Sequence, residues 1–310
     1  MDIYAPRRRA LSADAHIGAW HAPDGWPLRR MDWPAQGAAR GSLLFAGGRG
    51  DFIEKYAETL HDWHASGWNV ASFDWRGQGQ SRGDISGGNV ERFEPWIDDL
   101  DALIADWRSA TPGPHVVIAH SMGGHLLLRT LVDRRPDIDG AVLVAPMIMP
   151  NSAPIPPGIA PWVTGLMCRL GRTGIPVWKP RPGGVPVGSG RQRFLTASPE
   201  RYADELWWWE QEPGFNLGAP SWGWMRAAYR SAAATFAPQK LARVMLPVLI
   251  LAAEQDRLVN LAAIRRVAGQ IPGATLELYP DAAHEILRDA DPVRDRALAR
   301  IDAFLSGLER

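Results

Sequence analysis

The stretch Pro114-His115-Val116-Val117-Ile118-Ala119-His120-Ser121-Met122-Gly123-Gly124-His125-Leu126-Leu127-Leu128 decides how this chain of 310 residues is read. A short apolar run stops at a serine, two glycines follow one residue later, and apolar residues then return at a density suited to a helix. The pattern predicts strand, sharp turn and helix, with the serine at the turn. Such a turn is a nucleophile elbow, usually written G-x-S-x-G, which lifts the serine hydroxyl above the sheet edge in a strained backbone conformation. The positions two before and two after the serine must be small, because strand and helix nearly touch there. Gly123 meets this requirement; Ala119 departs from glycine by one methyl group in a crowded place, and we expect it to be tolerated. An ordinary strand–glycine–helix connection is the alternative reading of the same residues.

On the N-terminal side, His16–Trp20 and Trp26–Trp33 read as two strands joined at the hairpin signal Asp24-Gly25. Residues 41–46 form a buried strand that ends in Gly47-Gly48-Arg49-Gly50. Phe52, Ile53, Tyr56 and Leu60 fall at helical spacing, giving a helix to about Ser66. Val70–Phe73 is the next strand, and a helix of about 91–109 leads to the elbow strand. Beyond the elbow helix, Gly140–Pro146 is another strand. The alternation then breaks. Residues 147–236 are rich in proline and tryptophan, with helix-like pieces only around 199–210 and 223–233. It resumes with the strand Leu246–Ala253, a helix of about 259–269, the strand Thr275–Tyr279 and a last helix at 292–307. Strands alternating with helices predict an α/β fold with a mostly parallel sheet covered on both faces. Residues 1–146 and 237–310 are its core, and 147–236 an insertion.

Composition bounds the function. An apolar content of 46%, a charged content of 22% and a formal net charge of zero describe an ordinary globular protein with ample chain for a core. Zero net charge speaks against nucleic acid as a partner. One cysteine, Cys168, cannot make an internal disulfide, which fits a reducing compartment and a cytoplasmic setting. Arg7-Arg8-Arg9 is followed by no apolar run, so the N-terminus does not read as a secretory signal, and the arginines are expected to form a solvated arm. No stretch approaches the ~20 apolar residues of a membrane helix.

A serine hydroxyl needs a base to take its proton, usually a histidine oriented by a carboxylate. After an elbow the order along the chain is Ser, then Asp or Glu, then His. Glu254-Gln255-Asp256-Arg257-Leu258-Val259 follows one buried strand and Asp281-Ala282-Ala283-His284-Glu285 the next. Both loops belong at the carboxyl edge of a parallel sheet, where sites form. His284 is the only histidine after His125, which makes it the base. Asp256 is the acid of choice, with Glu254 and Asp281 as competitors. An oxyanion requires two backbone N–H donors. Met122 supplies one at the positive end of the elbow helix, and Arg49, in the glycine-rich turn, is the best candidate for the other.

These residues resemble the α/β-hydrolase superfamily, in its lysophospholipase and monoglyceride lipase branch, among the serine-aminopeptidase-like hydrolases. The resemblance runs through Phe52-Ile53-Glu54-Lys55-Tyr56, Asp74-Trp75-Arg76-Gly77-Gln78-Gly79-Gln80-Ser81, Ala119–Gly124, Asp256–Val259 and His284–Leu287. Ala119 stands where the family has glycine, and Gly47-Gly48 where the branch commonly has His-Gly. The resemblance implies a serine ester hydrolase on a lipid-like substrate, most often a lysophospholipid or monoacylglycerol, working without metal or organic cofactor. A general carboxylesterase, an aminopeptidase or a catalytically silent member of the same fold are the alternatives. It also implies that 147–236 caps the serine. Trp207, Trp208 and Trp222 are then candidates for the acyl pocket, against the plainer account that they pack cap onto core. A transient membrane-surface contact fits such a substrate, and oligomeric state is left open.

Other signals are weaker. His61 and His64 stand at i, i+3 but have no third ligand, so a solvated helix face is expected. Asp204, Glu205, Glu210 and Glu212 are expected on a solvated face too, although an amine-binding role is the alternative. Asp74 and Arg76 are expected to brace the loop beside the elbow. Gly48-Arg49-Gly50 with Asp74 gives the skeleton of a dinucleotide fingerprint, but Ile53 holds the third glycine position and Asp51 would repel a pyrophosphate.

Overall fold

A computed structural model describes residues 5–83, 88–179 and 185–309. Among them, eight strands form one sheet in the order β1-β2-β4-β3-β5-β6-β7-β8. The strands are β1 (His16–His21), β2 (Pro27–Trp33), β3 (Ser42–Ala46), β4 (Asn69–Phe73), β5 (His115–His120), β6 (Gly140–Val144), β7 (Val248–Ala253) and β8 (Ala274–Tyr279). The β1–β2 and β2–β4 pairs are antiparallel and all others parallel. The elbow strand β5 lies between β3 and β6, fully buried. It reads as an unbroken apolar run because both of its faces are covered.

Alternate residues sort to opposite faces. Val117 and Ala119, with Leu44 and Ala46, pack on the side of α3 (Glu94–Ala110), α4 (Met122–Asp133) and α10 (Leu261–Ala268). Val116 and Ile118, with Leu43 and Phe45, pack on the side of α2 (Ala57–Ala65) and α11 (Asp291–Ser306). The helix expected after the glycine-rich turn begins as a 3₁₀ turn, Ile53–Tyr56, before α2. Two anchored layers thus hold the carboxyl ends of β3, β5, β7 and β8 in fixed relation, and the loops that leave them inherit that relation.

Between β6 and β7 the chain leaves the sheet. Met147 and Ile148 still pack into the core, and the excursion then builds α5 (Ala160–Arg169), α6 (Gly190–Leu195), α7 (Pro199–Gln211), α8 (Trp222–Thr235) and α9 (Pro238–Leu241). The sequence pattern singles out α7 and α8. Ser198 and Ser221 cap them, accepting from the N–H groups of Arg201 and Trp224. Helices α5, α6 and α9 are additions to that expectation. They are short, and α5 does not hide its large apolar residues, so hydropathy does not announce it. Pro180 and Pro182, part of the proline-rich stretch, lie outside the described residues.

Two expectations are overturned. The arginine arm is not solvated: a short α1 (Ala5–Arg8) brings Arg8 into a buried pair with Asp204, and Arg9 lies 2.6 Å from the same carboxylate. Nor do Asp204 and Glu205 lie on a solvated face of α7. Both are buried against cations, Glu205 meeting Arg191 at 3.0 Å. The common reason is charge complementarity between distant segments, which neither segment reveals alone. His61 and His64 are also engaged, edge-on and stacked on Trp33. No cluster suited to a metal occurs among the described residues.

Candidate active site

Ser121 joins β5 to α4 with φ 51° and ψ −113°, a conformation that side-chain-bearing residues rarely adopt. Hydrogen bonds on both sides hold it. Its N–H donates to Val144 O at 2.9 Å, and its carbonyl accepts from Met147 N at 2.9 Å and His125 N at 3.1 Å. Close packing makes the turn possible. A Cβ on Gly123 would lie 2.4 Å from Gly47 O and 2.5 Å from Ala46 O. Ala119, the departure from the glycine pattern, has its methyl accommodated in the core.

The two later loops converge on this serine. His284 Nε2 is 2.8 Å from Ser121 Oγ, and His284 Nδ1 is 2.6 Å from Asp256 Oδ2. Asp256 Oδ1 accepts from the N–H groups of Leu258 at 2.7 Å and Val259 at 3.1 Å, which fixes the carboxylate. A carboxylate accepts only, so Nδ1 carries the proton and Nε2 faces the serine as an acceptor. Burial would lower the imidazole pKa, but the Asp256 charge and hydrogen bond, with the charges of Glu285 and Asp51, raise it above the ordinary 6.5. The competing carboxylates are elsewhere: Glu254 pairs with Arg265 and Asp281 with Arg296.

The glycine-rich turn lies against the elbow. A Cβ on Gly48 would meet Ser121 Cβ at 3.0 Å. Gly48 N–H donates to Asp51 Oδ2 at 2.6 Å and Gly50 N–H to Gln78 Oε1 at 2.7 Å, and Arg49 stands between them. Met122 is the first residue of α4, where a helix has no carbonyl of its own to offer the N–H. Gln78 also reaches Met122 Sδ at 3.9 Å, so one amide side chain spans turn and elbow. Nothing in the sequence marks Gln78 beyond its place in the loop Asp74–Ser81.

That loop is braced as expected. Asp74 accepts from Ile53 N at 3.0 Å and Gln80 N at 2.9 Å and pairs with Arg29. Arg76 holds Asp99 and Asp24. Burial, only partly opposed by Arg29, pushes the Asp74 carboxyl up to about 6.

The tryptophan candidates have partners within the insertion and the N-terminal arm. Trp207 lies under the Arg9 guanidinium, 5.2 Å to the ring centre, and Trp208 donates to Arg8 O at 3.2 Å. Trp222 opens α8, its N–H donating to Ile175 O. The insertion meets the turn through other residues. Trp224 lies 5.4 Å from the Arg49 guanidinium, Arg49 Nη1 donates to Gly218 O at 2.8 Å, and Leu217 covers Gly50. It meets the histidine loop as well, where His284 N and Glu285 N donate to Phe194 O and Leu195 O.

The chain is similar to known proteins in sequence and in fold. The chain is 30% identical over 241 residues to lysophospholipase L2 of Escherichia coli K12. That match covers 71% of the chain and 66% of the relative, just under two thirds of the relative's length. A soluble variant of monoglyceride lipase from Saccharomyces cerevisiae superposes with a TM-score of 0.77 at 17% identity, covering 99% of each chain. The monoacylglycerol lipase of Paleococcus ferrophilus gives 0.69 at 21% identity, covering 90% of this chain and 98% of that one. Likeness at such identities carries the fold. Residues 37–291 match the family described as serine aminopeptidase, S33, and with that match the chain belongs to this family of α/β-hydrolases.

Proposed function

We propose that the chain is a serine ester hydrolase acting on lipid-like carboxylic esters, lysophospholipid or monoacylglycerol. The observation that carries the reading is the hydrogen-bonded line from Asp256 through His284 to Ser121, ending on a strained serine. Ser121 Oγ attacks the ester carbonyl while His284 Nε2 takes its proton. Asp256 keeps the imidazole in the productive tautomer and stabilises the cation that forms. The N–H groups of Met122 and Arg49 receive the oxyanion. His284 then gives its proton to the departing alcohol, and next draws one from the water that cleaves the acyl-enzyme. These steps require no metal and no organic cofactor.

The lipid-like substrate follows from kinship with lysophospholipase L2, and residues 147–236 are assigned as the cap that selects it. Helix α5 supports contact with a lipid surface. Its buried face carries Ala160, Thr164 and Cys168, while Ile159, Trp162, Leu166 and Leu170 stand exposed on the other. Trp207, Trp208 and Trp222 have no such support as acyl contacts. Two of the four carboxylates of the aminopeptidase reading, Asp204 and Glu205, are already paired with cations. No helix of the described residues is long and apolar enough to cross a membrane.

The test is labelling with a fluorophosphonate probe alongside hydrolysis of p-nitrophenyl esters, monoacylglycerols and lysophospholipids. Labelling and hydrolysis that both vanish in Ser121→Ala support the reading. An unlabelled protein that cleaves no ester refutes it.

A further inference from the structure

A buried ionic cluster lies behind the triad, and the steps above make no use of it. Its centre is Lys55, in the 3₁₀ turn before α2. Lys55 Nζ is 2.7 Å from Asp51 Oδ1, 2.7 Å from Glu285 Oε1 and 3.3 Å from Glu205 Oε1. An ammonium has three protons, and here three buried carboxylates surround it. They come from separate parts of the chain. Asp51 follows the glycine-rich turn, Glu285 follows His284, and Glu205 stands on α7.

Two of these ties, through Asp51 and through Glu285 beside His284, lead towards the reacting groups. Asp51 Oδ2 receives Gly48 N–H, lies 3.0 Å from Nδ1 of His120, the residue before Ser121, and is 3.2 Å from Tyr56 Oη. Glu285 is bonded on its other oxygen to Arg288. Glu205 accepts from Arg191 on both of its oxygens. Around the cluster stand Arg8, Glu58, Arg201 and Asp204. Stability alone does not account for such a cluster, since replacing the lysine together with its carboxylates by apolar side chains is often neutral or stabilising. What an apolar side chain cannot do is fix the distance between two carboxylates on two loops.

We propose that Lys55 is a positioning residue of the hydrolase, its ammonium holding the glycine-rich turn and the histidine loop in register across Ser121. The proposal rests on the triad reading above. Burial alone would strip the proton from this amine, but Asp51, Glu205 and Glu285 hold its pKa above the ordinary lysine value, so the bridge persists throughout the working range. Lys55 also neutralises two of the carboxylates that face His284. The other groups around that ring are Asp256, and His120 at 4.9 Å between ring centres. Without Lys55, Asp51 and Glu285 favour the protonated imidazole more strongly, and the base is lost at a higher pH.

The experiment compares Lys55→Met and Lys55→Arg with the unaltered protein on p-nitrophenyl butyrate, with thermal unfolding as the check on folding. Lys55→Met should lower kcat by about tenfold with KM within about twofold, and move the acid limb of kcat/KM up by about half a pH unit. Lys55→Arg should restore most of the rate and the position of the limb. A folded Lys55→Met with unchanged kcat and limb overturns the proposal. So does a lower kcat with the limb in place, because a merely structural role has that signature. Should Lys55→Met not fold, Glu285→Gln decides: it removes one carboxylate beside His284, the limb must move down, and a stationary limb overturns the assignment. If the unaltered protein is inert and unlabelled at Ser121, the hydrolase reading falls and this proposal with it. An active parent with an indifferent Lys55→Met removes Lys55 alone.

Discussion

Asp256 Oδ2 lies 2.6 Å from His284 Nδ1, whereas Glu254, two residues earlier, points to Arg265 at 2.7 Å. The β7 loop turns one carboxylate to the histidine and the other to an exposed guanidinium. Asp256→Asn should therefore keep the fold and lower turnover by about 10⁴-fold, the scale seen when a triad carboxylate is neutralised. Steady-state kinetics with circular dichroism checks this. Near-parental turnover would remove Asp256 from the role.

On the proposed mechanism His284 should set the acid limb. Its pKa is raised above 6.5, so the neutral base is lost as pH falls through that raised value, and kcat/KM falls with it. The sign for stability is the reverse. A histidine whose folded pKa is raised adds stability that is complete below its unfolded value and is lost as pH rises through the folded value. Falling pH should thus cost activity while this part of the stability grows to its full value, as pH passes down through the raised value towards 6.5. In Asp256→Asn the largest opposition to burial is gone, so the limb should move down. A pH profile of kcat/KM for both proteins reads this, and a limb that fails to move contradicts the pairing.

Much of this site is legible in the sequence because its parts are local. The elbow needs small residues at fixed offsets from Ser121, and the triad order places Asp256 and His284 after successive strands. What the sequence hides is pairing between distant charges. Arg8 and Asp204, or Lys55 with Glu205 and Glu285, look like solvated charges until the fold brings them together. Gln78 is hidden for a related reason, since an amide in a loop has no periodicity. Aromatic content does not by itself separate pocket from packing: Trp207 and Trp208 pack against the N-terminal arm.

Gly123→Ala should be far more damaging than its single methyl suggests. The new Cβ would lie 2.4 Å from Gly47 O and 2.5 Å from Ala46 O, and neither backbone atom can rotate away. Overpacking of this kind costs about 1–3 kcal/mol, and the strain falls on the turn that carries Arg49. Thermal unfolding should show the loss, and fluorophosphonate labelling of the folded fraction should slow. Ala119→Gly, which only removes a buried methyl, should cost about 1 kcal/mol and leave labelling intact. Equal behaviour of the two variants would contradict this account of the elbow.

The exposed stripe on α5 gives the last prediction. Ile159, Trp162, Leu166 and Leu170 are spaced by three and four residues and share one helical face, with Trp162 77% and Leu166 56% exposed. Amphipathic helices ordinarily turn such residues inward, yet here the inward positions are Ala160, Thr164 and Cys168. Arg169 and Arg172 flank the stripe, an arrangement suited to an interface with anionic headgroups. Full transfer of one such side chain is worth about 1.5–3 kcal/mol, so partial burial of two should be worth about 2–3 kcal/mol, or about 30- to 150-fold in partitioning. The double variant Trp162→Ser, Leu166→Ser should therefore lose co-sedimentation with phosphatidylcholine–phosphatidylglycerol vesicles by that factor. It should also slow on monoacylglycerol presented in those vesicles. Hydrolysis of p-nitrophenyl butyrate in solution should stay at the parental rate, because neither side chain is buried in the fold. Undiminished vesicle binding would remove α5 from the lipid surface. A parallel loss on the soluble ester would mean that the stripe supports the site from within.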